Sequence, residues 1–520
     1  MRSTAILAAA ATAAALAGCG LIGGSRPHAD GTARIAITEP QHLVPANTDD
    51  PGGLQVLAAL FTPLVAFDAA SQPYEVAAER VETTDNRVWT IRLRDGLTFH
   101  NGERVTADSY LDAWNYAAYA PHGQLNGYLF EKIQGYGAKR LTGLRKVDDR
   151  TLVVTLVQPY REFRSLLGTA AYYPLPRAAF DASGAVTKEY EQAPIGDGPF
   201  AMKGTWQHGS RIEVTRYATY AGPEKPKVGG VEFRIYPQLD AAYADLVAGK
   251  LDVLATIPPD KLTEAAADLG DRFERSPASA IQLLAFPAFD PAFDRPEVRK
   301  AISMAIDREA IVKAVFKDAQ LAATSFVAPV VAGYREHSCG EACTFDATKA
   351  RELYAAAGGP PTLTISYNSD GGHRDWVEAT CAQLASNLGV ECAGQAEPNF
   401  ADLLSKVDRR QPVGTFRMSW VMHYPSMENC LGPLYSTSGS ANYSGYSNAE
   451  FDHLVTAGAA AASAEDAIRM YQAAEDLLAR DLPILPMRYG RNNIGHSTRV
   501  GNVEVDPFGR VNLLRLDYVH

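Results

Sequence analysis

A single hydrophobic core stops growing at about 250 to 300 residues, so a chain of 520 residues has to divide its apolar side chains among two or three domains. Periodicity says what kind. Strand and helix signals alternate along the whole length, with no internal repeat at any short period. Residues 34–38 alternate as a strand does, Val88–Leu93 does the same ahead of the turn at Asp95-Gly96, and 151–157 is a third strand. Glu297–Ile306 instead sets Val298, Ala301, Ile302 and Ala305 on one helical face, and Asp307 is placed to cap a helix over 308–316. Similar amphipathic patterns cover 348–357, 376–388 and 464–478. The fold class is α/β, mixed, with several sheets.

The first residues narrow the compartment. Arg2 precedes an uncharged, Ala-rich stretch over 4–16 that ends in Leu16-Ala17-Gly18-Cys19. A dozen or so apolar residues are too few to span a bilayer, which takes about 20, and their setting reads as a signal peptide over 1–18. Cys19 is then the lipid-acylated first residue of the mature chain, and 19–33, Gly-rich with Ser, Pro and Asp, is a flexible tether. The competing reading is a buried Ala-rich helix with an incidental Cys. No later segment is apolar for the length of a span, so membrane contact is expected through the lipid alone.

Cysteine use fits an oxidising compartment. Apart from Cys19 there are Cys339, Cys343, Cys381, Cys392 and Cys430, and the sequence-local pairs Cys339/Cys343 and Cys381/Cys392 are the disulfide candidates, leaving Cys430 free. His337 and Glu341 crowd the first pair, which keeps a zinc reading open; outside the cytoplasm the disulfide is expected instead, and no metal. A net charge of -11 with no basic run argues against nucleic acid. Enzyme signatures are missing as well: there is no Gly-x-Ser-x-Gly elbow, no His-Glu-x-x-His pair, no Walker loop and no dinucleotide fingerprint. Pro194-Ile-Gly-Asp-Gly-Pro-Phe200 is a tight turn rather than a phosphate cradle. Neither catalysis nor a cofactor is expected.

Ordered blocks carry a resemblance. Tyr74-Glu-Val-Ala-Ala-Glu79 and Trp89-Thr-Ile-Arg-Leu-Arg-Asp-Gly-Leu-Thr-Phe-His-Asn-Gly-Glu-Arg-Val-Thr-Ala-Asp108 resemble the signature region of the dipeptide- and oligopeptide-binding proteins of ABC importers, solute-binding family 5. The turn at 194–200, Gly229–Ile235, Leu246–Val253, Val298–Glu309, 346–358 and Tyr446–Asp452 continue the match in family order, over nearly the whole chain from Arg34. The resemblance implies a two-lobed, periplasmic-binding-protein-like fold (type II, cluster C) with an extra inserted domain and a discontinuous first lobe. Lobe I would combine 34–50, 190–277 and 489–520; the inserted domain II would cover 51–189; lobe III would cover 278–488. A monomer is expected, closing over a small solute, a short peptide above all, and passing it to an ABC permease and ATPase. A non-transport lipoprotein in signalling or envelope assembly, or a receptor for a glycan, is the alternative.

Site residues follow from the same resemblance. Relatives that take peptides place an Asp for the ligand ammonium in a pattern like Trp-x-x-Asp-Tyr, whereas this chain reads Trp420-Val-Met-His-Tyr424, with His423 at the acid's position. A neutral His accepts a hydrogen bond but opposes no charge. Glu428 or Glu39 would then have to substitute, or the ligand lacks a free amine. Trp420 and Tyr424 supply aromatic walls. Arg417 and His373 match an arginine and a histidine of oligopeptide receptors, Arg409 and Arg410 fall near a further basic position across a gap in register, and Tyr128, Glu39 and Tyr489 complete the expected set.

Overall fold

In the computed structural model residues 31–68 and 71–519 are described, so the expected signal peptide and Cys19 lie outside the described residues. A mixed sheet of 11 strands runs through the molecule. Its path is Glu391–Glu397, Thr362–Asn368, Thr415–Val421, Phe273–Ala285, Ile484–His496, Val253–Leu254, Thr32–Ile37, Gly230–Ile235, Arg211–Arg216 and Phe200–Met202, with Leu321–Ala322 paired to the side of Ile484–His496. A separate four-stranded antiparallel sheet is built from Ala78–Thr83, Val88–Leu93, Thr151–Thr155 and Leu144–Asp148.

Two antiparallel strands of 13 residues each, Phe273–Ala285 and Ile484–His496, carry the large sheet from one end to the other. At one end Val253 pairs with His496; at the other Ala280–Ala285 pair with Phe416–Val421. Their ladder breaks between the pairs Pro277–Arg491 and Ile281–Tyr489, where one strand carries extra residues. Pro277 has no N–H to give the ladder, and a bulge re-aims a strand at such a point. The freed groups bond elsewhere: Ser279 N–H donates to Pro507 O (2.7 Å).

Apolar burial divides at this crossing, which gives the α/β fold its two lobes. One core gathers Ala33, Trp89, Trp114, Phe163, Phe233 and Leu516 among many others, and so joins the four-stranded sheet to the first half of the large one. A second core runs from Ile281 to Tyr489 in sequence. Tyr424 and Ala459 belong by sequence to the second lobe yet pack into the first core, reaching across the seam. Among the described residues no helix is long and apolar enough to cross a membrane.

Three distant stretches meet on one carboxylate. Asp252 is wholly buried. It accepts from the Arg34 backbone N–H (2.9 Å) and guanidinium Nε (3.0 Å), from Ser497 Oγ (3.0 Å) and from Arg499 Nε (3.0 Å). Removing one partner of a buried ion pair leaves the others with uncompensated charge. Asp252→Ala is therefore expected to lower unfolding free energy by about 3–5 kcal/mol, read by urea denaturation followed by circular dichroism.

Candidate functional site

The strand Thr415–Val421 stays paired with Phe273–Ala285 through its last residue, and a bend over 423–425 leads to the helix Glu428–Tyr435. An acid in a helix's first turn is favoured by the amide dipoles, and Glu428 occupies that place. Opposite stands a segment of the first lobe that follows the strand Thr151–Thr155 and carries Gln158 and Tyr160, together with the turn Gly127–Phe130 carrying Tyr128. Between these walls lies a cavity of about 290 Å³. Tyr128, Glu131, Lys132 and Tyr160 line it from the first lobe, and Trp420, His423, Tyr424, Glu428 and Asp452 from the second.

Side chains meet across the cavity. Tyr128 Oη and His423 Nε2 share a hydrogen bond of 2.8 Å. Burial holds the imidazole below its ordinary range, so the ring is neutral at pH 7, and burial likewise pushes the Tyr128 phenol up to about 12. The His423 backbone N–H donates to Asn429 Oδ1 (2.9 Å), fixing the bend after the strand. Deeper in the seam Tyr160 Oη and Tyr424 Oη both donate to Glu428 Oε2, at 2.6 and 2.7 Å. Burial first and the Glu428 charge second raise both phenols well above 10, so they remain donors. The indole Nε1 of Trp420 is buried without a partner, and an unmade buried hydrogen bond costs about 1–3 kcal/mol.

A second polar group forms in the second lobe behind the same strand. Arg417 is 7% exposed and Arg488 4%. Burial lowers Arg417 to about 10, and burial followed by Arg417 lowers Arg488 to about 9. Arg488 lies between the rings of Phe316 (4.3 Å) and Trp376 (4.7 Å), while Arg417 lies over Phe400 (4.8 Å) and donates to Ser419 Oγ (3.1 Å). Arg417 Nε and Asn368 Oδ1 are buried without partners. His373 takes the Trp376 indole N–H on Nδ1 (3.2 Å), and burial, then Arg417 and Arg488, push it down to about 4. Asp370 is the carboxylate that acts against this positive field. Two guanidiniums held out of water beside each other form an anion-accepting surface.

The structure brings together Tyr128, Trp420, His423 and Tyr424 on the cavity, and Arg417 with His373 in the neighbouring cluster. The remaining expected site residues lie elsewhere. Arg409 and Arg410 are exposed where the helix Phe400–Asp408 ends, Arg410 in the left-handed conformation that terminates it. Glu39 accepts from His208 (2.9 Å) and the Gly209 N–H (2.9 Å) at the surface. Tyr489 is 2% exposed and holds the second core's loop, accepting from the Ser325 N–H (2.7 Å) and donating to Ser325 O (3.0 Å). Tyr160, Lys132, Asp452 and Arg488 were missed; strand alternation is the signal for Arg488, because a neighbour of core-facing Tyr489 points to the other face. Both expected disulfides form, Cys339–Cys343 and Cys381–Cys392, and Cys430 is free and buried.

Two lobes, one crossing pair of strands and a guest-sized cavity at the seam define a two-lobed solute receptor. The profile of the bacterial extracellular solute-binding proteins, family 5 Middle, matches residues 72–442, and the chain belongs to this family. It is 25% identical over 475 residues to the oligopeptide-binding protein OppA of Bacillus subtilis, covering 87% of this chain and 86% of that protein. It is also 25% identical over 477 residues to the glutathione-binding protein GsiB of Escherichia coli K12, covering 89% and 90%. Among solved structures, HbpA2 from Haemophilus parasuis superposes with a TM-score of 0.83 at 23% identity, covering 94% of this chain and 100% of that one. AppA from Bacillus subtilis in complex with a nonapeptide gives 0.74 at 19%, covering 95% and 100%.

The His373 ring refuses a proton that an unfolded chain accepts between its ordinary 6.5 and about 4. Its contribution to stability is complete above 6.5 and is lost as the pH falls toward 4. His373→Asn, which keeps an acceptor for Trp376, is expected to remove roughly 2–3 kcal/mol of the stability lost between pH 6.5 and pH 4. Thermal unfolding of both proteins across that range measures it.

Proposed function

We propose that this chain is the lipid-anchored receptor subunit of an ABC importer, capturing a short peptide between its lobes outside the cytoplasm and delivering it to the permease and ATPase. The observation that carries the reading is the seam cavity, whose walls come from different lobes and touch through Tyr128–His423 and Tyr160–Glu428. Its volume of about 290 Å³ sits at the low end for small-ligand sites, which favours a short guest. A guest that bridges both walls makes contacts absent when the lobes part, and that difference is what drives closure.

A peptide supplies what the site lacks. Its backbone carbonyl satisfies the orphaned Trp420 Nε1, and its terminal carboxylate goes to the Arg417, Arg488 and His373 group, where Arg417 Nε has no partner. Glu428 provides the acid for an ammonium that His423, being neutral, does not. Relatives named for oligopeptides, glutathione and a bound nonapeptide support the ligand class. Transport rests on the family, and anchoring on Cys19 and the segment before it.

Native mass spectrometry on protein purified without denaturation should release peptides; sugars or other non-peptide solutes in their place would refute the ligand class. Cys19→Ala should leave the protein unacylated and move it to the soluble extracytoplasmic fraction. Membrane attachment that survives the change counts against the anchor.

A further inference from the structure

Charge is not balanced around the seam cavity. Glu131 and Lys132 line it from the first lobe, Glu428 and Asp452 from the second. The first two satisfy each other: Lys132 Nζ stands 2.9 Å from Glu131 Oε1 and over the Tyr160 ring (5.6 Å). His423, the other basic side chain on the walls, is kept neutral by burial. Glu162, buried behind the first-lobe wall, accepts from Ser426 of the facing lobe and has Arg161 beside it (3.7 Å). Glu428 and Asp452 are bonded to neutral groups instead, Glu428 Oε2 to the two phenols and Asp452 Oδ1 to the Thr437 N–H (2.8 Å).

Local sequence puts these two acids on one wall. In the helix Ala449–Ala460, Asp452, Val455, Thr456 and Ala459 are three, four and seven positions apart, so they share one face, and that face lines the cavity. Asn448 caps the helix by accepting from the Glu450 and Phe451 N–H groups (3.0 and 3.2 Å), which sets Asp452 in the first turn, where the amide dipoles favour an anion. Glu428 opens the neighbouring helix in the same way. The phenols take its Oε2; its Oε1 lies toward Gly432, where an added Cβ would stand 2.8 Å from Oε1 and 3.9 Å from Val455 Cγ1. A glycine at 432 therefore leaves room for the carboxylate beside the helix face, one turn from Asp452. Thr437, which bonds Asp452, is flanked by Ser436 and Ser438, and both line the cavity with Ser440 and Thr456.

We infer that the second-lobe wall, through Glu428 and Asp452 together, selects short peptides that carry a lysine or arginine side chain besides the terminal ammonium. The inference rests on the proposed capture of a peptide and adds the charge of its side chain. Ammonium and guanidinium groups are donors only, and a wall of carboxylates and hydroxyl-bearing residues offers them acceptors and opposing charge. Glu428, at 7% exposure the deeper of the two acids, takes the terminal ammonium, and the half-buried Asp452 takes the side chain. A neutral side chain leaves Asp452 enclosed with no counter-charge, and an acidic one adds a like charge beside it.

Titration calorimetry of the wild-type protein with Lys-Ala-Ala and Ala-Lys-Ala, with the same peptides carrying norleucine for lysine, and with Glu-Ala-Ala tests this. Norleucine keeps the aliphatic stem and loses the charge, so the better lysine peptide should bind roughly tenfold or more tighter than its norleucine counterpart, and the glutamate peptide should bind weakest. Asp452→Asn retains an acceptor for the Thr437 N–H and should bring the lysine-to-norleucine ratio close to one; Asp452→Lys should reverse the order of the lysine and glutamate peptides. Norleucine peptides that bind wild type as tightly as lysine peptides overturn the selection and leave the peptide reading standing. A lysine preference that survives in Asp452→Asn, with thermal unfolding like that of wild type, overturns it as well. If no tripeptide binds while cadaverine does, and Asp452→Asn abolishes that binding, selection by charge stands and the peptide reading fails. If neither tripeptides nor cadaverine bind, both fall.

Discussion

The antiparallel ladder between Phe273–Ala285 and Ile484–His496 is the constraint on which everything else in this molecule depends. Backbone hydrogen bonds must be made wherever water is excluded, and these two strands make them with each other through both lobes. One end of the pair is built into the first half of the sheet through Val253, the other into the second half through Thr415–Val421. The register of this ladder is interrupted after Pro277, where extra residues find partners outside it, and again between Gln282 and Leu283.

Cost and purpose meet at the seam and behind it. An interior built for stability alone would avoid two neighbouring guanidiniums, a buried indole N–H without a partner and carboxylates drawn out of water. Arg417, Arg488, Trp420, Glu162 and Glu428 are all of this kind. Among these residues the buried atoms left without a partner are Arg417 Nε and Trp420 Nε1, and both belong to the strand Thr415–Val421. The aromatic rings around them, Trp420 and Tyr424 at the cavity and Phe316, Trp376 and Phe400 at the cluster, lower the local polarity and strengthen each charge.

Much of the cavity was legible in the chain and part of it was not, for reasons that can be assigned. Trp420, His423 and Tyr424 stand at the end of one strand, and a local motif marks such a place. Arg417 lies in the same strand, and its face was readable from alternation. Arg409 and Arg410 share the motif's neighbourhood, but a helix end intervenes and turns them into solvent. Tyr489 holds a loop of the second core while its neighbour Arg488 faces the cluster, and a single strand residue does not reveal which side of the sheet is covered. Tyr160 lies far from Glu428 in sequence, and no local pattern announces a contact made only when two lobes meet.

By itself the sequence determined the fold class, the two local disulfides and the family, because each is written in short-range spacing: the period of apolar residues, cysteines a few positions apart, and blocks in fixed order. The tertiary structure alone decided which side chains share the cavity, that Asp252 joins three remote segments, and that Glu162 and Glu428 lie in one seam. Those outcomes depend on loop closure over hundreds of residues and on the exclusion of water from an interface. Neither is a property of any stretch of chain taken alone.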